Sequence, residues 1–175
     1  MGLCVKPIFC FSKSLTQDEL KQIVGQLGKL QPGFLPFELF LQVARLVALP
    51  ILELVPLRRI EGRIEVLLLE RGANDLLWPG MLHIPGTVIR ATDNSAGDAI
   101  GRIRQDELAG LKFTTPKLIK TDFHKSRRGS EVAQVYCTEV QEVPKTGRFY
   151  DVGKLPGNLV PGQNIFIEEA VHSLS

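Results

Sequence analysis

The stretch His83–Leu111, HIPGTVIRATDNSAGDAIGRIRQDELAGL, constrains the fold of this chain more than any other. It reads as a strand end, a glycine-containing loop, a capped helix and a glycine exit, an order that lays a helix against a sheet. Ser95 and Asp98 have capping-box spacing, and an acid in the first turn complements the positive end of a helix. From Ala96 to Ala109 there is no proline, and Ala99, Ile100, Ile103 and Leu108 recur at helical spacing. Gly110 is placed to stop the helix. Asp98, Arg102 and Asp106 follow one another at intervals of four, so the arginine can pair along one helix face. Asp106 and Glu107 project neighbouring carboxylates from the last turn, and two such acids suit a hard divalent cation such as Mg2+.

The elements around this stretch follow from pattern. Lys6 to Phe11 can form a short strand or arm. Thr16 with Glu19 is a second capping box, opening a helix over Gln17–Leu30 with Leu20, Ile23, Val24 and Leu27 on its apolar face. A second helix is expected over Pro36–Leu49, carrying Phe37, Phe40, Leu41, Ala44 and Val47. This apolar pair serves either as a helical cap or as a dimerisation element. Ile51–Ile60 and Arg63–Glu70 read as strands joined by a hairpin turn at Glu61-Gly62. Pro56 argues for an edge or a bulge in the first of them, and the apolar run Val66–Leu69 for a strand covered on both faces. Further strands are expected at Met81–Ile84, Lys112–Asp122, Glu131–Val140 and Phe149–Val152, with a closing helix over Gln163–Leu174.

Length and charge narrow the class. A chain of 175 residues suits one domain with a short N-terminal extension, divided here as an arm and helical extension over 1–49 and a domain over 50–175. A net charge of +2 gives no electrostatic ground for nucleic acid as a partner. Cys4, Cys10 and Cys137 lack CxxC spacing, so free thiols in a reducing, cytoplasmic setting are expected. No signal peptide is evident, and no run reaches the ~20 apolar residues of a membrane span.

The residues from Gly86 to Gly110 resemble the Nudix box, G-x5-E-x7-R-E-U-x-E-E-x-G-U with U aliphatic. Gly86 after Ile84-Pro85 matches its opening glycine; Arg102, Asp106 and Glu107 match the arginine and the final acidic pair. The sequence departs from the pattern at Ile103, where the family has Glu, at Arg104 and at Ala109, and its loop before Arg102 is two residues longer. Leu68-Leu69-Glu70-Arg71, Trp78 before Pro85-Gly86, and Leu155–Leu159 before a helix are similar to the family's flanks, so the resemblance covers about residues 50–173.

The resemblance implies an α/β/α sandwich around a mixed sheet. It also implies hydrolysis of a nucleoside diphosphate linked to another moiety, with Mg2+ or Mn2+ as cofactor and a nucleotide as small-molecule substrate. Asp106 and Glu107 would then be catalytic metal ligands, with Glu131 as a compensating third ligand for the position taken by Ile103. Gly86 and Arg102 would be structural. Arg71, Arg127 and Arg128 would meet phosphate, and Trp78, with Phe123 as a second aromatic, would stack on a base. His83 and His124 show no metal spacing. Two alternatives share the fold: a nucleotide-sugar hydrolase of the GDP-mannose type, whose branch also has an aliphatic residue after the arginine, and a binding or regulatory module without turnover. A homodimer through the N-terminal helices is a further expectation.

Overall fold

A computed structural model describes residues 15–33 and 35–174. The expected arm at Lys6 to Phe11, with Cys4 and Cys10, lies outside the described residues. The chain divides into two compact units, Met1–Pro32 and Gly33–Ser175. In the first, helix α1 (Gln17–Leu27) begins as its capping box predicts. Glu19 N–H donates to Thr16 Oγ1 (3.2 Å) and Thr16 N–H to Glu19 Oε2 (2.8 Å), and none of the helix's residues is buried.

The second unit is built on β1 (Leu49–Ile60), which lies at the centre of a seven-stranded mixed sheet. Its partners are β2 (Arg63–Glu70), β4 (Gly86–Val88) and β6 (Ser130–Glu139), the last in parallel over Leu49–Leu57. β3 (Leu82–His83) and β7 (Arg148–Asp151) pair with β2, and β5 (Lys117–Lys125) closes the far edge against β6. The β1–β2 hairpin turns at Glu61 (φ 48) and Gly62 (φ 77), the left-handed pair that the twist of two antiparallel strands favours. None of the described helices is long and apolar enough to cross a membrane.

Two apolar clusters separate by strand parity. Val66 and Leu68 join Ile51, Val55 and Leu57 beneath α2 (Phe37–Leu46) and α4 (Gln163–His172). Leu67 and Leu69 join Leu52 and Leu54 beneath α3 (Ala96–Arg102) and the residues that follow it. Burial on both faces of β2 is what its unbroken apolar run requires. The result is an α/β/α sandwich around a mixed sheet, in agreement with the expected class. α2 belongs to this unit, with Ala44 in its core, although the sequence places it with the N-terminal extension.

Several local expectations need correction. Pro56 sits in the central strand, neither at an edge nor in a bulge. Leu54 N–H donates to Pro85 on the side of β4, so the nitrogen of Pro56, two residues on, faces the same side, where β1 passes from β4 to β2. No ladder donor is needed in that gap. Ser95 makes no side-chain cap; Asp98 instead reaches back to accept from Asn94 N–H (2.7 Å). The helix does not run to Ala109. α3 ends at Arg102 and continues as one π-helical turn over Ile103–Glu107, where Leu108 N–H donates to the Ile103 carbonyl (3.1 Å). Lys112–Pro116 precede β5 and contribute only a bridge, Phe113 to Val140.

The turn between β5 and β6 is pinned to α2. Gly129 has φ +141, and a Cβ there would overlap the Ala44 carbonyl. Gly129→Ala therefore meets both strain and backbone overlap. It is expected to cost about 2–4 kcal/mol in urea unfolding. A cost below about 0.5 kcal/mol would show that the turn can shift freely.

Candidate functional site

Gly86 lies between two acids. A Cβ at this position would overlap the Glu53 carboxyl, so any larger residue would have to displace that side chain; the constraint is space and not backbone angle. Its N–H donates to Glu107 Oε2 (3.3 Å). Glu53, 7% exposed in the middle of β1, receives a weak hydrogen bond from Gln163 Nε2 (3.5 Å). Gln163 Oε1 in turn accepts from Ile84 N–H (2.9 Å), tying the start of α4 to the segment before Gly86. Burial pushes the Glu53 carboxyl up to about 8, with the Glu131 and Glu107 charges adding to it and Arg128 and Arg71 opposing it. Burial likewise raises Glu107 to about 7.

Beside these acids two arginines share one indole. Arg71, just past β2, and Arg128, in the β5–β6 turn, place their guanidiniums 5.4 and 5.2 Å from the centre of the Trp78 ring. Asp75 sets the loop between them: it accepts from Leu77 N–H (2.9 Å), Trp78 N–H (2.8 Å) and Arg71 Nη1 (3.1 Å). Arg128 Nε donates to Glu131 Oε1 (2.7 Å), which also accepts from Ser126 Oγ (2.7 Å). The ring of His124 lies between Asp122 (3.0 Å from Nδ1) and Glu131 Oε2 (3.2 Å from Nε2).

Two cavities meet at Arg71. The larger, about 670 Å³, is lined among others by Arg71, Asp75, His83, Glu107 and Arg148. The smaller, about 260 Å³, is lined by Glu53, Arg71, Trp78, Arg128, Glu131 and the first turn of α4, whose N-terminus has no side-chain cap. The positive end of a helix adds to the field of the arginines.

Asp106, Glu107 and Glu131 are not brought together as one set of metal ligands. Among the described residues no group of three or more His, Cys, Asp or Glu side chains is placed to hold a metal ion. Asp106 is exposed, whereas Glu107 turns into the larger cavity, with its carbonyl accepting from Thr146 Oγ1 (2.9 Å). Glu131, 1% exposed, is committed to Ser126, Arg128 and His124, and so does not complete a set with Asp106 and Glu107. Ile103, at 1% exposure, fills the core where the box pattern has an acid.

The remaining candidates fall into place around this cleft. Arg102 pairs with Asp93 and with the Val88 carbonyl (2.9 Å), not with Asp98 or Asp106. The longer loop brings Asp93 back to Arg102 at the end of α3. Arg127 is exposed and donates to the Leu77 carbonyl, bracing the Trp78 loop without lining either cavity. Trp78 is buried beneath its two arginines and Phe123 lies exposed on β5 away from both cavities, so neither offers an open stacking face inside the cleft. Glu53, Gln163 and His83 were not singled out as site residues. The available signal was the one acid inside ILELVPL, because an unpaired charge in a two-sided strand has to serve something.

No family model matches the sequence, and no curated protein matches it. Solved structures do resemble it. The NUDIX domain of Shewanella oneidensis NrtR, complexed with ADP ribose, superposes with a TM-score of 0.58 at 18% identity, covering 87% of this chain and 98% of that one. The Ap4A hydrolase of C. elegans gives 0.55 at 15% identity, covering 74% and 100%. A MutT NUDIX hydrolase from Burkholderia pseudomallei gives 0.55 at 19%, covering 69% and 97%. The chain has the Nudix fold.

Proposed function

We propose that this chain binds a nucleoside diphosphate derivative across the two cavities, with the diphosphate at Arg71 and Arg128. The observation that carries the reading is the pair of guanidiniums held on Trp78 at the junction of the cavities. A diphosphate concentrates negative charge on oxygens that match the arginine fork, and a guanidinium already oriented by an aromatic ring and a carboxylate loses little freedom on binding. The uncapped start of α4 favours the same charge. Because the acids do not form a metal-ligating group, recognition rests on the arginines. Binding is therefore expected to persist in chelator.

Thermal-shift and calorimetric titrations with ADP-ribose, nucleotide sugars and dinucleoside polyphosphates test this, each in EDTA and in Mg2+ or Mn2+. Stabilisation by at least one of them in EDTA supports the reading. Silence across the panel in every buffer rejects it.

A second reading, turnover of the bound ligand, is favoured by Glu107. Its carboxyl lines the larger cavity beside Arg71, is oriented by Gly86 N–H, and titrates near neutrality because it is buried. Such a group can take a proton from water as that water attacks. Glu107→Gln is then expected to lower turnover about 10²–10⁴-fold while leaving ligand affinity nearly unchanged. Nucleoside monophosphate as product indicates attack at phosphorus; free sugar with nucleoside diphosphate indicates attack at carbon. Absence of either product with a ligand that binds leaves the chain a binding module.

A further inference from the structure

His83 has a role that its sequence context does not announce. It is the second residue of β3, held opposite Leu69 in β2, and only 7% exposed. Its Nδ1 stands 2.8 Å from the Ile84 carbonyl. A carbonyl oxygen only accepts, so Nδ1 carries the proton and Nε2 is a bare lone pair. Burial first, and the Arg71 charge second, lower this ring to about 4, so the neutral tautomer persists through the physiological range.

Among the described residues Nε2 has no hydrogen-bond partner. It is also not one of the fully buried unpaired atoms, as the Nε of Arg71 is. His83 lines the larger cavity together with Arg71, Glu107 and Arg148. That cavity holds donors in Arg71 and Arg148 and other acceptors in Glu70, Asp75 and Glu107. Asp75 already accepts from Arg71, Leu77 N–H and Trp78 N–H and Glu107 from Gly86 N–H, whereas His83 presents an acceptor whose ring is oriented by Ile84.

We propose that His83 is a specificity-determining acceptor, whose Nε2 receives a hydrogen bond from a hydroxyl or amino group on the ligand portion in the larger cavity. This rests on the binding reading above and adds a selection to it. A fixed acceptor with no protein partner is left unpaired by a ligand lacking a donor there, which disfavours apolar or fully anionic groups at this place. A strand histidine with only a structural role would be satisfied by its Ile84 bond and would not respond to ligand.

Histidine-labelled full-length protein, titrated with ADP-ribose and followed by nitrogen NMR and calorimetry, tests the assignment. Expected first is the Nδ1–H tautomer in the free protein; an Nε2–H tautomer overturns the proposal without reference to any ligand. On binding, the Nε2 resonance should move toward that of a hydrogen-bonded acceptor while Nδ1 stays protonated. His83→Phe should weaken ADP-ribose roughly tenfold, and His83→Asn, which restores an acceptor, should recover part of the loss. Binding with an unmoved Nε2 and an unchanged His83→Phe affinity overturns the proposal but leaves the binding reading standing. Failure of ADP-ribose and the rest of the ligand panel to bind overturns both.

Discussion

Arg71→Ala is expected to weaken a ligand that stabilises the wild-type chain by at least about 100-fold, with the fold retained. Arg71 is the one residue among the cleft arginines that lines both cavities. Its Nη1 donates to Asp75 and its guanidinium lies over Trp78, so the side chain is held in place. Removing it takes away both the charge and the fork that a phosphate meets. Arg71→Lys restores charge without the fork and is expected to fall between alanine and wild type. The loss should not reflect collapse of the loop, because Asp75 keeps its bonds from Leu77 and Trp78 N–H. Arg127→Ala is the natural control, since Arg127 touches the same loop from outside and should change affinity by less than about threefold. Calorimetric titration of the three variants decides the matter; equal affinities for Arg71→Ala and wild type would remove the arginine junction as the binding determinant.

The sheet was more legible than the site because the two are encoded differently. A hairpin turn at Glu61-Gly62, a two-sided strand at Val66–Leu69 and a capping box at Thr16 are each written by adjacent residues, and each stands in the structure. Gly86 was also legible, but for a reason the sequence does not contain: the obstacle to a side chain there is Glu53, more than thirty positions earlier. The π-turn after Arg102 was hidden by the very periodicity that announced the helix. Ala99, Ile100, Ile103 and Leu108 all reach the core, but the step from Ile103 to Leu108 is a five-residue one and not a regular helical repeat. That extra residue helps to explain why Glu107 enters the cavity while Asp106 stays outside, and so why two neighbouring acids do not act as a pair. Pro56 misled for the opposite reason. It follows the usual rule about missing donors, but the place where a donor is not needed lies inside the sheet, between two partners of one strand.

The stability of the chain should fall as pH rises from about 6.5 to 8, and Glu53→Gln should flatten that fall. The folded Glu53 holds its proton up to about 8, whereas the unfolded carboxyl releases it near the ordinary glutamate value of 4.5. Between those values the folded state binds more protons, so raising the pH favours unfolding. Glu107 acts in the same direction up to about 7. His83 acts oppositely: its folded value of about 4 lies below the unfolded 6.5, so between these pH values the unfolded state binds more protons and stability rises with pH. The carboxyls and the histidine therefore oppose each other in mild acid. Above 6.5 only the carboxyls remain of these three, and Glu53 contributes about 2 kcal/mol of lost stability over that window. Glutamine at this position keeps a polar end toward Gln163 and has no proton to lose. Urea unfolding at pH 6.5 and pH 8 should show the wild type losing stability and Glu53→Gln losing much less. Parallel slopes for the two proteins would mean that Glu53 is ionised in the folded state, with the Arg71 and Arg128 charges outweighing its burial.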